Sequence, residues 1–183
     1  MELLQRLQPL DILFAVVWAA IVGWGLQTGI VRQLGMLIGT YGGALAAGSG
    51  YHQGGAALQL IFGNDLRPRL EWAAYVALFV VVLGVVGALV WRAYPATRFS
   101  RGFGIDNVLG AALGAVWGVL FLIALLTMMR FYAIVPWAGE ETTQQGVQHQ
   151  VQLSQVGPVL EVVASPLWQV MTPWFPQQVP SRI

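Results

Sequence analysis

The sequence predicts an all-α integral membrane protein with four transmembrane helices followed by a C-terminal amphipathic helix at the membrane interface. Of its 183 residues, 57% are apolar and only 9% are charged, whereas an ordinary soluble domain carries about 25% charged residues. The few charges leave four long uncharged runs, and a helix needs roughly 20 apolar residues to cross a bilayer core. These runs lack the alternation of polar and apolar residues that is typical of β-barrel strands.

The uncharged runs place the four spans at about residues 12–27, 31–49, 71–91 and 107–130, within a transmembrane domain over residues 1–131. The first two spans share a short stretch, so we expect a tight turn in residues 25–29, where glycine permits turn dihedrals. Arg32 follows that turn and is expected to reach the interface. Glycine and polar residues cluster in residues 48–64, and we interpret this segment as a loop that includes a short interfacial helix over 56–62.

A cleaved signal peptide is the alternative interpretation of residues 1–25, because Arg6 precedes an apolar stretch. Asp11 opens that stretch, and no A-x-A site followed by a polar segment is present, so a retained span is favoured. The arginines divide evenly between the two sides of the membrane, and the positive-inside rule leaves the orientation open. The denser cluster of Arg92, Arg98 and Arg101 slightly favours a cytoplasmic loop between the third and fourth spans.

Residues 132–183 differ in character from the spans and are predicted to form a polar linker and an amphipathic tail. Residues 140–155 are polar and rich in Gln, and apolar residues then recur at three-to-four spacing from Val156 to Met171. That spacing is typical of an amphipathic helix. Pro158 and Pro166 interrupt it, so we expect it to lie on the membrane or against the bundle rather than to span.

Small residues recur at every fourth position in the predicted spans, which lets helix backbones approach closely in lipid. We call each such row a glycine ridge. The longer ridges are Gly35, Gly39 and Gly43 on the second span and Gly110, Gly114 and Gly118 on the fourth. We expect these two ridges to pack on each other or on a neighbouring copy. Shorter rows are Ala15, Ala19 and Gly23 on the first span and Gly84 and Ala88 on the third.

The interiors of the predicted spans contain no ionisable residue, which argues against ion-coupled transport by a single protomer. The chain has no cysteine, and both histidines, His52 and His149, lie outside the spans. Neither a Ser/His/Asp arrangement nor a phosphate-binding loop is present. The sequence therefore predicts no metal site, no cofactor, no catalytic residue and no enzymatic activity, and a formal net charge of +1 argues against nucleic acid as a partner.

Asp11 and Asp106 each stand directly before a predicted span. A carboxylate there accepts hydrogen bonds from the first turn and suits the positive end of the helix dipole, so capping is the simplest role. The functional alternative pairs Asp106 with Arg98, Arg101 or Arg32 at the membrane surface.

Three patches of the sequence resemble the colicin V production protein (CvpA) family of small bacterial inner-membrane proteins, over nearly the whole chain. The first patch is Asp11, Gly29 and Arg32. The second is Asp106 with Leu109, Gly110, Gly114 and Gly118, preceded by Gly104. The third is Ser154 and Pro158 in the tail. Two residues depart from the family pattern: Thr28 stands where an Arg or Lys is common, and Trp117 where an Arg is frequent.

The resemblance implies a non-enzymatic role in colicin V or toxin production or export and in envelope homeostasis, at the bacterial inner membrane. We expect the chain to act as an assembly or partner-binding factor, in contact with the lipid bilayer and with a second copy or another membrane protein. The alternative is an oligomeric channel or transporter for a small solute, suggested by the Gly-rich second span and by a following loop that dips back into the membrane.

Overall fold

The computed structural model describes residues 8–63, 66–94, 104–135 and 141–171, and the regular elements in these residues are all α-helices. They are α1 (Pro9–Thr28), α2 (Ile30–Phe62), α3 (Arg67–Ala93), α4 (Ile105–Ile134), α5 (Glu141–Leu153) and α6 (Val156–Met171). The all-helical prediction is thus confirmed for the described part of the chain. Arg6, Arg98 and Arg101 lie outside it, as do residues 172–183.

Three of the described helices, α1, α3 and α4, are long and apolar enough to cross a membrane. Their outward faces carry exposed apolar side chains that suit lipid, among them Val16, Val81 and Val116, each more than half exposed. Helix α2 is the longest, but its glycine and polar residues keep its hydropathy below that of these three helices.

Helices α1 and α2 are joined by one residue, Gly29, which has a φ of 77°. This positive φ confirms the predicted tight turn, because the left-handed region favours glycine over other residues.

The loop expected over residues 48–64 was wrong, because α2 continues without a break to Phe62. The glycines in this segment do not break the helix; they bring it against the beginning of α3. A Cβ on Gly50 would lie 3.0 Å from Leu78, and one on Gly54 would lie 3.0 Å from Ala74. Close packing against α3 therefore outweighs the low helix propensity of glycine here.

The bundle consists of two antiparallel helix pairs, α2 with α3 and α1 with α4, which meet where α2 contacts α4. The ridge of α2 packs on α3: Gly39 faces Val86 and Gly43 faces the backbone of Phe79. The ridge of α4 packs on α1, with Gly114 close to the backbone of Ile21. The expected contact between the two long ridges was therefore wrong, since each ridge is filled by a different helix of the same chain.

The two shorter rows of small residues do not pack inside the bundle. Ala15, Ala19, Gly84 and Ala88 are exposed, and a Cβ added to Gly23 or to Gly84 would meet no atom within 4 Å. These rows leave small-residue surfaces on the outside of α1 and α3.

The segment expected to be a polar linker contains a helix, α5, that is tied to the end of α4. Gln144 Nε2 donates to the carbonyl oxygens of Ala133 and Val135 at 2.7 Å each, and Gln148 Nε2 donates to Ala133 at 2.6 Å. Carbonyls at a helix C-terminus lack partners within the helix, so the glutamines satisfy groups that α4 leaves open.

Helix α6 packs one side against the bundle. Leu160 joins a buried cluster with Leu10, Phe14, Leu122 and Leu126, and Arg130 of α4 forms an ion pair with Glu161. The outer side of the helix exposes apolar residues, namely Val159, Val162 and Val163.

Candidate functional site

The first polar site, which we call the Asp11 junction, joins the beginnings of α1 and α6. Asp11 is the third residue of α1 and is only 2% exposed. Its carboxylate accepts a hydrogen bond from the backbone N–H of Gln8 at 3.2 Å, which closes the start of its own helix. It also accepts bonds from Gln155 N at 3.3 Å and from Val156 N at 3.2 Å. One carboxylate therefore serves unpaired donors at two helix N-termini, where negative charge is favourable.

Ser154 completes the Asp11 junction. Its hydroxyl donates to Asp11 Oδ1 at 2.6 Å and accepts a bond from the backbone N–H of Gly157 at 3.1 Å. Pro158 is the third residue of α6, a position whose backbone N–H would have no partner within the helix. The first and third patches of the sequence are thus brought together in space.

The second polar site, the Gly29 junction, joins the turn between α1 and α2 to the beginning of α4. Asp106 is buried, and its Oδ1 accepts a hydrogen bond from Ile30 N at 3.1 Å. A Cβ on Gly29 would overlap the Asp106 carboxylate. Asp106 therefore caps the first turn of α2, a neighbouring helix, in addition to lying in the first turn of its own. The sequence placed capping on the helix that follows each aspartate and missed this second helix.

Arg32 lies in the same region and ties the start of α2 to the end of α3. Its Nε and Nη2 donate to the carbonyl oxygen of Tyr94 at 3.2 and 2.9 Å. The guanidinium lies 4.2 Å from the centroid of the Trp91 ring, a cation–π contact. The alternative pairing of Asp106 with Arg98 or Arg101 lies outside the described residues.

The glycine contact between α1 and α4 connects the two ends of the Gly29 junction. A Cβ on Gly25 would overlap the carbonyl of Gly110, and a Cβ on Gly110 would overlap the carbonyl of Gly25. Gly118 lies against the Trp18 ring, and Trp18 Nε1 donates to Ala115 O at 3.1 Å. These residues let two backbones touch and hold the junction together.

Buried polar side chains form short hydrogen-bonded links near the Gly29 junction. Gln33, 1% exposed, donates through Nε2 to Thr28 Oγ1 at 2.9 Å. Thr28 Oγ1 donates to Trp24 O at 2.9 Å. Trp117 Nε1 donates to Thr40 Oγ1 at 2.7 Å. Thr28 and Trp117, the two departures from the family pattern, are therefore neutral donors and acceptors inside the bundle.

A cleft of about 500 Å³ lies beside these links. Its walls come from α1, α3 and α4, and α2 lies at its base. The lining residues that matter below are Trp24, Arg32, Gln33, Gly84, Trp91 and Trp117. Trp24 and Trp91 meet across one end with ring centroids 6.4 Å apart. Sequence reasoning missed this cleft because its walls come from residues far apart in the chain.

The chemistry of these sites is that of hydrogen bonding between helices. Both aspartates accept bonds from backbone donors, and in residues 8–63, 66–94, 104–135 and 141–171 no three His, Asp or Glu side chains come together.

Several long apolar helices, joined by buried polar contacts at their ends, define a multi-pass helical membrane protein. The family model described as Colicin V production protein matches residues 10–165, and the chain belongs to this family. The family assignment from sequence is thereby confirmed; it indicates a role in colicin V production, and the family is not known as enzymatic. No curated protein and no solved structure matches the chain.

Proposed function

We propose that the chain is a four-span protein of the bacterial inner membrane that acts as a non-enzymatic assembly or partner-binding factor in colicin V or toxin production or export and in envelope homeostasis. In this proposal α2 is the fourth span, and α6 rests at the interface with its exposed valines toward the lipid. A helix of 33 residues is about 50 Å long, enough to cross the bilayer and extend beyond it.

The observation that carries the proposal is the unpacked row of small residues on α1. Ala15 and Ala19 are exposed, and the space beside Gly23 is open. In lipid, small residues at four-residue spacing let a second helix approach closely. The glycines of α2 and α4 are used within the chain, so this outward row supports contact with a second copy or another membrane protein.

Site-directed crosslinking tests the proposal, because the chain has no cysteine and any introduced thiol is unique. We expect Ala19→Cys to give a discrete crosslinked species in native membranes, identified by mass spectrometry. Val81→Cys, an exposed position on α3, serves as the control. Adding Gly23→Leu to Ala19→Cys should abolish the adduct, whereas adding Gly84→Leu should leave it. Equal crosslinking from Ala19→Cys and Val81→Cys would contradict a specific partner surface.

The channel or transporter hypothesis rested on a loop that dips back into the membrane, and that segment is part of α2 packed on α3. Solute flux in liposomes containing only this protein distinguishes the two hypotheses, since a partner-binding factor should conduct nothing.

A further inference from the structure

The cleft between α1, α3 and α4 has the dimensions of a ligand site rather than of a packing defect. Its volume of about 500 Å³ lies within the range of roughly 300–1,000 Å³ that is common for small-molecule pockets. The walls are apolar along most of their length and include Phe79, Leu83 and Phe121. Gly84 lies in the wall with no atom within 4 Å of an added Cβ, so the glycine leaves open space there.

One buried polar atom in the cleft lacks a partner. Gln33 lines the cleft and is 1% exposed, and its Nε2 is used by Thr28. Its Oε1 accepts no hydrogen bond from any of the residues that the structure describes. A buried acceptor without a donor costs free energy, so a ligand with an O–H or N–H group at this position would bind favourably.

The end of the cleft next to Gln33 carries positive charge. Arg32 is held there by Tyr94 and Trp91, and a guanidinium fixed in this way suits phosphate. Trp24 and Trp91 lie at the same end, and tryptophan prefers the headgroup level of a membrane. The polar end is therefore expected at the level of lipid phosphates, with the apolar part of the cleft toward the bilayer centre.

The length of the cleft suits one hydrocarbon chain. Along α3 its lining runs from Phe79 to Trp91, about 18 Å at 1.5 Å per residue. One leaflet of a bilayer core is half of about 30 Å thick. The cleft thus spans the depth of one leaflet, with an anion-binding group at the headgroup end and a hydrogen-bond acceptor directly below it.

We propose that the cleft binds an anionic glycerophospholipid that has a single acyl chain, a lysophospholipid. Its chain fills the apolar part between α3 and α4, and its phosphate faces Arg32. The glycerol hydroxyl that is freed when one acyl chain is missing lies between chain and phosphate, and it donates to Gln33 Oε1. A phospholipid with two chains lacks this hydroxyl and brings a second chain.

The test measures lipid binding to the full-length chain by native mass spectrometry from a neutral detergent. We expect lysophosphatidylglycerol to bind more tightly than zwitterionic lysophosphatidylcholine, and more tightly than two-chain phosphatidylglycerol. Gly84→Leu should weaken lysophosphatidylglycerol binding by at least about tenfold, because leucine occupies the open space of the cleft. Gly23→Leu is the matched control, since Gly23 also faces open space but lies outside the cleft, and it should bind like the wild type.

Two further comparisons test the polar contacts. Arg32→Gln should reduce the preference for lysophosphatidylglycerol over lysophosphatidylcholine by about tenfold, because a charge-assisted contact is lost. A lysophosphatidylglycerol analogue without the glycerol 2-hydroxyl should bind the wild type as weakly as the normal lipid binds Gln33→Leu. The analogue keeps this comparison valid even where the variant fails to fold.

Equal binding to Gly84→Leu and Gly23→Leu would overturn the proposal, as would equal binding of the one-chain and two-chain lipids. A lipid-free dimer that Gly84→Leu dissociates would also overturn it, because the cleft would then hold a second copy of the chain.

Discussion

The hydroxyl of Ser154 donates to the carboxylate of Asp11 at 2.6 Å, although the two residues are 143 positions apart in the sequence. Both side chains are buried, and the carboxylate also accepts bonds from Gln8, Gln155 and Val156. The contact fixes the start of α6 to the start of α1.

Replacing Asp11 by Asn should lower the free energy of unfolding by about 1–3 kcal/mol, because a buried set of donors loses its charged acceptor. Ser154→Ala should be destabilising as well. The double variant should lose less than the sum of the two single losses, with a coupling of about 0.5–3 kcal/mol. Denaturant unfolding in detergent micelles provides the measurement.

Thr127→Ala is the control for this coupling, because Thr127 donates only to Ile123 in its own helix among the described contacts. Its effect should add to that of Asp11→Asn. Additivity of Asp11→Asn with Ser154→Ala as well would contradict the junction.

Replacing Gly29 by Ala should destabilise the protein for two separable reasons. The backbone there has φ 77° and ψ 175°, a region used almost only by glycine, and residues forced into it cost about 1–3 kcal/mol. The added Cβ also overlaps the Asp106 carboxylate. Gly63 has a similar conformation, φ 93° and ψ 166°, but no atom lies within 4 Å of its Cβ position.

Gly63→Ala should therefore show the backbone effect alone and be milder than Gly29→Ala. Asp106→Ala should partly rescue Gly29→Ala but not Gly63→Ala, as measured by thermal unfolding in detergent. Equal losses from the two glycine variants would refute the steric contact with Asp106.

The contact of α1 with α4 predicts opposite outcomes for two Gly→Ala changes. Gly110→Ala places a methyl group against the backbone of Gly25 and Gly29 and should cost about 1–3 kcal/mol. Gly23→Ala meets no neighbour, and alanine favours a helix over glycine, so stability should be unchanged or rise by up to about 1 kcal/mol. Unfolding in detergent, compared for the two variants, decides; a stable Gly110→Ala would mean that the helices are farther apart.

The glutamine contacts between α5 and α4 predict a local effect. Gln148→Leu removes a donor to the carbonyl of Ala133 and should speed hydrogen exchange across residues 141–153, because α5 loses part of its attachment. Gln152 is exposed, and Gln152→Leu should leave exchange unchanged. Similar exchange in both variants would show that apolar packing alone holds α5.

The charges and apolar runs were sufficient to predict helices, because the period and length of an apolar run depend on local sequence. The extent of α2 could not be predicted in this way. Gly50 and Gly54 resemble loop residues in isolation, and only the surface of α3 makes them helix-packing positions. A glycine ridge likewise shows that some backbone comes close without showing which one, so Gly43 and Gly114 were recognised but assigned the wrong neighbours.

The polar sites were predicted as residues and not as contacts. Asp11, Ser154 and Pro158 were each singled out in the sequence, but their meeting depends on how α6 returns to the start of α1. Gln33 was not singled out, since a lone amide near a helix start carries no pattern. Its burial beside the cleft follows from the packing of four helices.

The Asp11–Ser154 hydrogen bond also bears on the order of events during synthesis. Chains are made from the N-terminus and domains fold as they emerge, so α1 enters the membrane when Ser154 has not yet been translated. The carboxylate of Asp11 then has only the donors of its own helix, and it receives those of α6 after α4 and α5 have been made. Joining of α1 to α6 is therefore a late step, and a chain that stops before residue 154 leaves the start of α1 accessible to water.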